Sequence, residues 1–316
     1  MELQKVIKGL HHVTATVNDA QEDYDFYTKV LGLRLVKETV NFDNEAVYHF
    51  YYADEIGNPS TVFTTFPYKD QGVRQGVIGN GQVVQTSFSI PHDALDFWEK
   101  RLINNGLSYS KTKRFGLETL VFTDPSGLVL DLKANPQDTR EDHIWSTDDI
   151  PKSKAIKGIH SVTFSVEDGD ATGKFLENFG YRKVMGEDNL TLYEVGEGGP
   201  GNSVIMRSNP DGDTGINGLG TVHHVAHRVA DLETLEKVRN YIEDDLGIDI
   251  TEVKDRKYFK SIYFRIPGNV LFEVATEEPG FLIDEDKDEL GTSLKLPDWQ
   301  EVRREEIEKN LIPYER

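Results

Sequence analysis

The sequence predicts an α+β chain of four βαβββ units arranged as two curved-sheet halves, and three observations carry that prediction. The first is an internal match: residues 9–17 (GLHHVTATV) and 221–229 (TVHHVAHRV) repeat a doubled histidine in a strand-like context, so five of the nine histidines fall in two similar segments. The second is that both segments run into an aspartate cap and a helix-spaced apolar pattern that stops at a glycine. The third is that each helix is followed by short β-rich runs bounded by turn residues rather than by another helix.

In the first unit, Leu10 to Val17 alternates as a strand, Asn18-Asp19 opens a helix through Tyr24, Phe26, Tyr27, Val30 and Leu31, and Gly32 ends it. Strands at 33–36, 46–52 and 61–66 complete it. The second unit has a strand at 83–90, a helix at 94–105 and a stop at Gly106; the third has a strand at 159–166 and a helix ending at Gly180. The fourth repeats the first, with Asp231 as cap, Leu232, Leu235, Val238, Tyr241 and Ile242 at helical spacing, Gly247 as stop, and strands at 248–253, 260–264 and 270–275. Units of roughly 55 to 70 residues cannot bury their own apolar face alone. Pairs of them should share a sheet with the helices outside.

By this division residues 1–134 hold the first two units, 135–156 form a polar linker with Pro136 and Pro151, 157–277 hold the other two, and 278–316 form a tail. In the tail, Asp284 to Glu289 reads as a solvated acidic run. A helix is expected from Trp299 to Leu311, with Trp299, Val302, Ile307 and Leu311 as the stripe that packs on the body.

Composition bounds the function classes. With 316 residues and 37% hydrophobic content the chain suits a large globular core, and a net charge of −20 argues against nucleic acid or an anionic membrane as partner. No apolar run approaches the ~20 residues of a membrane span. Zero cysteines exclude disulfides and thiol nucleophiles and fit a cytoplasmic protein. A homo-oligomer is left open.

Because side chains alternate across a strand, Val13, Ala15 and Val17 share the face that packs on the helix, and His12, Thr14 and Thr16 share the concave one. The same register gives His224 the position of His12, and sends His227 to the helix face. Strict alternation also turns His11 and His223 away from the cavity, although strand ends escape that rule. A last-strand position completes the pattern. Pro125 and Asp131, like Pro267 and Glu273, are six residues apart, and an acid in the apolar run around Glu273 is costly unless paired or bound to a metal. Reading both positions through the units gives His12 and Thr65, Gln85 and Asp131, Ser161 and Met206, then His224 and Glu273. Pairing neighbouring units never collects three good ligands, whereas units 1 and 4 bring together His12, His224 and Glu273 with Thr65 as a weak fourth. Two imidazoles and one carboxylate are the facial set of non-haem Fe(II) oxygenases, which leaves adjacent positions open for O2 and substrate. Units 2 and 3 would form a degenerate half. A lone strand histidine is usually a satisfied core residue, and that reading holds for His160 and His227.

The segments GLHHVTATVND, TVHHVAHRVADL, DRKYFKSIYFRIPGNVLFEVAT and EEPGFLIDEDKDELGTSLKLP resemble those of bacterial ring-cleaving dioxygenases of the vicinal oxygen chelate superfamily, the hydroquinone-cleaving branch in particular, over nearly the whole chain. The resemblance implies that fold, with Fe(II), less often Mn(II), held by His12, His224 and Glu273 and cleaving a small hydroxylated aromatic with O2. It also implies supporting roles for His11, Thr14, His223, Arg256 and Tyr263. The Tyr263 phenol, on the strand before Glu273, is placed to hold or protonate a substrate oxygen. Phe66, Tyr258 and Phe259 are candidate wall residues. Two other classes stay open: a metal-dependent lyase or thiol transferase of the glyoxalase type, which typically fills four protein ligand positions, and a non-catalytic binding protein built on the same units.

Overall fold

The computed structural model describes residues 2–316, so only Met1 of the 1–134 pair lies outside it. All four units are present, each as strand, helix and three strands. The first comprises β1 (Leu10–Val17), α1 (Ala20–Asp25), β2 (Arg34–Asn41), β3 (Asn44–Ala53) and β4 (Val62–Pro67). The second comprises β5 (Gln82–Ile90), α2 (Leu95–Asn104), β6 (Tyr109–Arg114), β7 (Leu117–Thr123) and β8 (Val129–Ala134). The third comprises β9 (Gly158–Val166), α3 (Gly169–Asn178), β10 (Arg182–Glu187), β11 (Leu190–Glu194) and β12 (Ser203–Ser208). The fourth comprises β13 (Thr221–Val229), α4 (Leu232–Asn240), β14 (Lys254–Asp255), β15 (Phe259–Arg265) and β16 (Leu271–Pro279). Asp19, Asp168 and Asp231 cap their helices by accepting backbone N–H bonds. Gly32 and Gly247 leave theirs with φ of +67° and +65°, a conformation that excludes most side chains.

The units pair by space rather than by sequence. One eight-stranded sheet has the order β14-β15-β16-β13-β1-β4-β3-β2, joining units 1 and 4; the other, β10-β11-β12-β9-β5-β8-β7-β6, joins units 2 and 3. The stretch 135–156 therefore links β8 to β9 inside the second sheet, where Ile144, Ile150, Ala155 and Ile156 are buried. Val13, Ala15, Val17 and Val225 pack into the core under the helices, leaving the opposite face of the first sheet open. No helix among the described residues is long and apolar enough to cross a membrane.

Each sheet is centred on one antiparallel pair that carries two bulges. Between β1 and β13 the register steps from Leu10↔His227 to His12↔Ala226, leaving His11 unopposed, and from Thr14↔His224 to Ala15↔Val222, leaving His223 unopposed. Between β5 and β9 the same steps leave Val84 and His160. A bulge inserts one residue and re-aims its side chain. His11 and His223 thus escape the alternation that had turned them away from the ligand side.

The tail departs from expectation in two places. Asp284 and Glu285 are not solvated: both pair with the Lys37 ammonium, which is fully buried on β2, and Glu285 is itself 7% exposed. The expected helix is broken into α5 (Asp298–Glu301) and α6 (Arg304–Asn310). Ile307 and Leu311 bury against Val40 and Leu296, while Trp299 sets one edge of its ring on Phe42 and stays half exposed and Val302 is exposed. Upstream, Phe281 packs on Tyr51 and Tyr258.

Candidate metal centre

Strand register alone brings the candidate ligands together. His12 on β1 stands opposite Ala226 on β13, which stands beside Glu273 on β16, which faces Tyr263 on β15. Ala226 matters by being small: its methyl group leaves open the space above it into which His12 and Glu273 reach from either side. The pseudo-symmetric row runs His224, Thr14, Thr64, Tyr51. His12 Nε2 lies 3.3 Å from His224 Nε2, and Glu273 Oε2 lies 3.2 Å and 2.8 Å from those two nitrogens. Ligands bound at about 2.1 Å and at right angles would stand about 3.0 Å apart, so the three atoms have the spacing of one face of an octahedron.

The protonation pattern points the same way. His11 hydrogen-bonds the Thr276 backbone and meets His12 Nδ1 with its own Nδ1 at 2.9 Å; with the shared proton on His12 Nδ1, His12 Nε2 turns a bare lone pair to the centre. His224 repeats the arrangement with His223, Nδ1 to Nδ1 at 2.7 Å. Each histidine doublet therefore supplies one ring to face the centre and one to fix its tautomer, the support that metal-bound imidazoles commonly need. Burial pushes the His11 ring down to about 3, helped by His12, and it stays neutral. Burial likewise lowers His224, with Glu273 opposing. Neither Glu273 oxygen accepts a conventional hydrogen bond, and both are fully buried. Two lone pairs and an unsatisfied carboxylate converging on one point suit a cation and little else. It is the only such cluster among the described residues.

The centre opens onto a cavity of about 430 Å³, within the range of small-molecule sites. Phe66 and Phe259 line it as expected; Tyr258 instead lies beneath it over the Lys37 ammonium. Tyr263 OH accepts from Arg256 Nε and Ser261 Oγ, both at 3.1 Å, and burial raises its phenol well above the ordinary value. Arg256 lies over the Tyr263 ring and pairs with Asp43. His223 is exposed at the cavity, whereas His11 is buried behind His12 and does not reach it.

One register reading needs correction. The position equivalent to Glu273 is Thr64 in unit 1 and Ile205 in unit 3, one residue before Thr65 and Met206. Thr65 points to the helix side and donates to Asp23 at 2.6 Å. Only units 2 and 4 carry the proline-to-acid spacing of six, and the other two reach the same row one residue sooner. Thr64 is tied to Thr14 at 3.0 Å and to His49 at 2.9 Å, so it offers no fourth charged ligand.

A family profile, the Glyoxalase/Bleomycin resistance protein/Dioxygenase superfamily, matches residues 9–193. The chain belongs to this superfamily. Among its relatives, MhqO of Bacillus subtilis (strain 168), whose name places it with the ring-cleaving dioxygenases, is 43% identical over 99% of this chain and 98% of its own. The chlorohydroquinone/hydroquinone 1,2-dioxygenase of Sphingobium indicum is 34% identical over 98% of both. A crystal structure from Bacillus subtilis subsp. subtilis str. 168 superposes with a TM-score of 0.93 at 42% identity, covering 98% of each chain. Within the superfamily fold, sequence reasoning had missed His49 and Tyr51. His49 Nδ1 meets Tyr51 OH at 2.9 Å, and the ring stacks near Phe66. Both side chains are symmetry mates of Ser261 and Tyr263, a signal that was present in the repeat once β3 and β15 are aligned.

Proposed function

We propose that this chain is a metal-dependent ring-cleaving dioxygenase that opens a hydroquinone- or catechol-type aromatic with O2, using Fe(II), or Mn(II) in its place, at His12, His224 and Glu273. The observation that carries the reading is the facial spacing of those three buried ligands beneath an aromatic-lined cavity. The named activity of the Sphingobium relative supports a hydroquinone over other rings. An ion held there would supply the electron relay between a bound phenolate and O2. The protein's own contribution is positional. Phe66 and Phe259 clamp the flat ring and exclude water, and the Tyr263 hydroxyl, already accepting from Arg256 and Ser261, has its proton free to donate to a substrate oxygen. His223, at the cavity with its Nδ1 against the His224 ring, is positioned to donate its remaining N–H to a substrate oxygen. A lyase of the glyoxalase type is disfavoured because Thr64 is neutral and already hydrogen-bonded. The cysteine-free composition supports a cytoplasmic setting.

The test is O2 uptake by the purified chain after loading with Fe(II) or Mn(II), with hydroquinone and catechol as separate substrates. Oxygen consumption coupled to loss of ring absorbance is expected, faster with hydroquinone. A protein that binds either ion at the triad yet consumes no O2 with any dihydroxybenzene would end the proposal.

A further inference from the structure

The second sheet has its own concave face, and its charges are unlike those of any other region. Lys133 on β8 is 2% exposed, and its ammonium has one partner, the Ser161 hydroxyl at 3.1 Å. Arg114 at the end of β6 lines the same hollow, about 130 Å³ in volume, together with His160 and Asn135. Arg207 on β12 lies next to Arg114, on the face of Ser203 and Ile205. Among the described residues none of these three cations forms an ion pair. The acids nearby form no ion pair with them: Asp131 Oδ2 accepts from Gln85 and Ser87 while its Oδ1 is buried without a partner, Glu194 pairs with Arg182, and Glu187 accepts from the Phe115 amide. Three unpaired cations on one face are unexpected in a chain with 55 acidic and 35 basic residues.

A buried ammonium with no carboxylate in ion-pair contact is costly, and burial here pulls Lys133 below its ordinary value while Asp131, two residues along β8, pulls it back only in part. The contrast with Lys37, equally buried but held by two carboxylates, shows what the chain does when such a charge is structural. We propose that the hollow of the second sheet binds a small oxyanion, held by the Lys133 ammonium at its floor and by Arg114 at its rim, with Arg207 adding positive charge beside Arg114. Guanidinium and ammonium groups together suit a carboxylate or inorganic phosphate. The volume limits the ligand to roughly the size of benzene, which fills an engineered cavity of about 150 Å³. Asn135 and His160, joined at 3.2 Å, add polar contacts at the wall.

The experiment is isothermal titration of the full chain in chloride buffer with acetate, succinate and inorganic phosphate in separate arms. Saturable binding in at least one arm is expected, the tighter arm identifying the source. Binding should be about 10- to 100-fold weaker in Lys133→Met and weaker in Arg114→Gln, and unchanged in His12→Ala, which separates this hollow from the metal centre. Lys133→Met should also melt higher than wild type in chloride alone and lose any oxyanion-dependent rise in Tm. The proposal is overturned by equal affinity in wild type and Lys133→Met, by no saturable heat in any arm, or by a Lys133→Met protein that melts several degrees lower.

Discussion

The two sheets share one scaffold and differ in a few side chains. In the first, the crossing rows read Tyr263, Glu273, Ala226, His12 and His224, Thr14, Thr64, Tyr51; in the second, Leu192, Ile205, Thr163, Gln85 and Ser161, Ser87, Asp131, Val121. The bulges fall at matching points. What differs is the charge at the crossing: imidazoles facing a carboxylate on one side, an amide and hydroxyls around Asp131 on the other. Repetition preserved the geometry, and side-chain chemistry alone decides which sheet has the donors for a cation.

The largest expected effect breaks or upholds that contrast directly. Glu273→Gln and His12→Ala should lose bound metal and at least about 10³-fold in ring-cleaving rate, whereas Asp131→Asn, at the matching place in the other sheet, should leave the rate within about twofold. Metal analysis and O2 uptake decide it, and a metal-replete Glu273→Gln would dissolve the distinction. Next in size, Lys37→Met should cost about 3–5 kcal/mol in urea unfolding, because it strands the buried Glu285 carboxylate; an equal loss in Lys133→Met would show that the two lysines are not different in kind. Tyr263→Phe should lower kcat about 10²-fold with metal content intact, and Tyr51→Phe, its mate whose hydroxyl is engaged by His49, should cost less.

A pH profile tests the seam that joins the sheets, where Tyr27 donates to Asp124 at 3.1 Å and Asp23 accepts from Tyr52 at 2.8 Å. Burial pushes Asp23 from 3.8 up to about 8. With the folded value above the unfolded one, the fold holds the proton longer, so this contribution is complete below about pH 4 and is lost as pH rises towards 8. The slope is at most about 1.4 kcal/mol per pH unit. Asp23→Asn, which keeps an acceptor for Tyr52 and Thr65, should flatten that part of the stability profile; an unchanged profile would show that Asp23 ionises normally.

Much was legible in the chain itself. Helix stops at Gly32 and Gly247, the doubled histidines, and the acid of Val270 to Ala275 each carry a local signal, because backbone sterics and side-chain alternation act between near neighbours. The pairing of unit 1 with unit 4 also followed from the residues, since no other pairing collects three ligands. Tertiary structure alone decided the rest. It set the bulges that turn His11 and His223, the one-residue offset that makes Thr64 rather than Thr65 the mate of Glu273, the burial of Asp284 and Glu285 on Lys37, and the break in the tail helix. Each of these depends on what a distant strand places opposite a residue. Register and counter-charge are relations between segments far apart in sequence, and local periodicity holds no record of them.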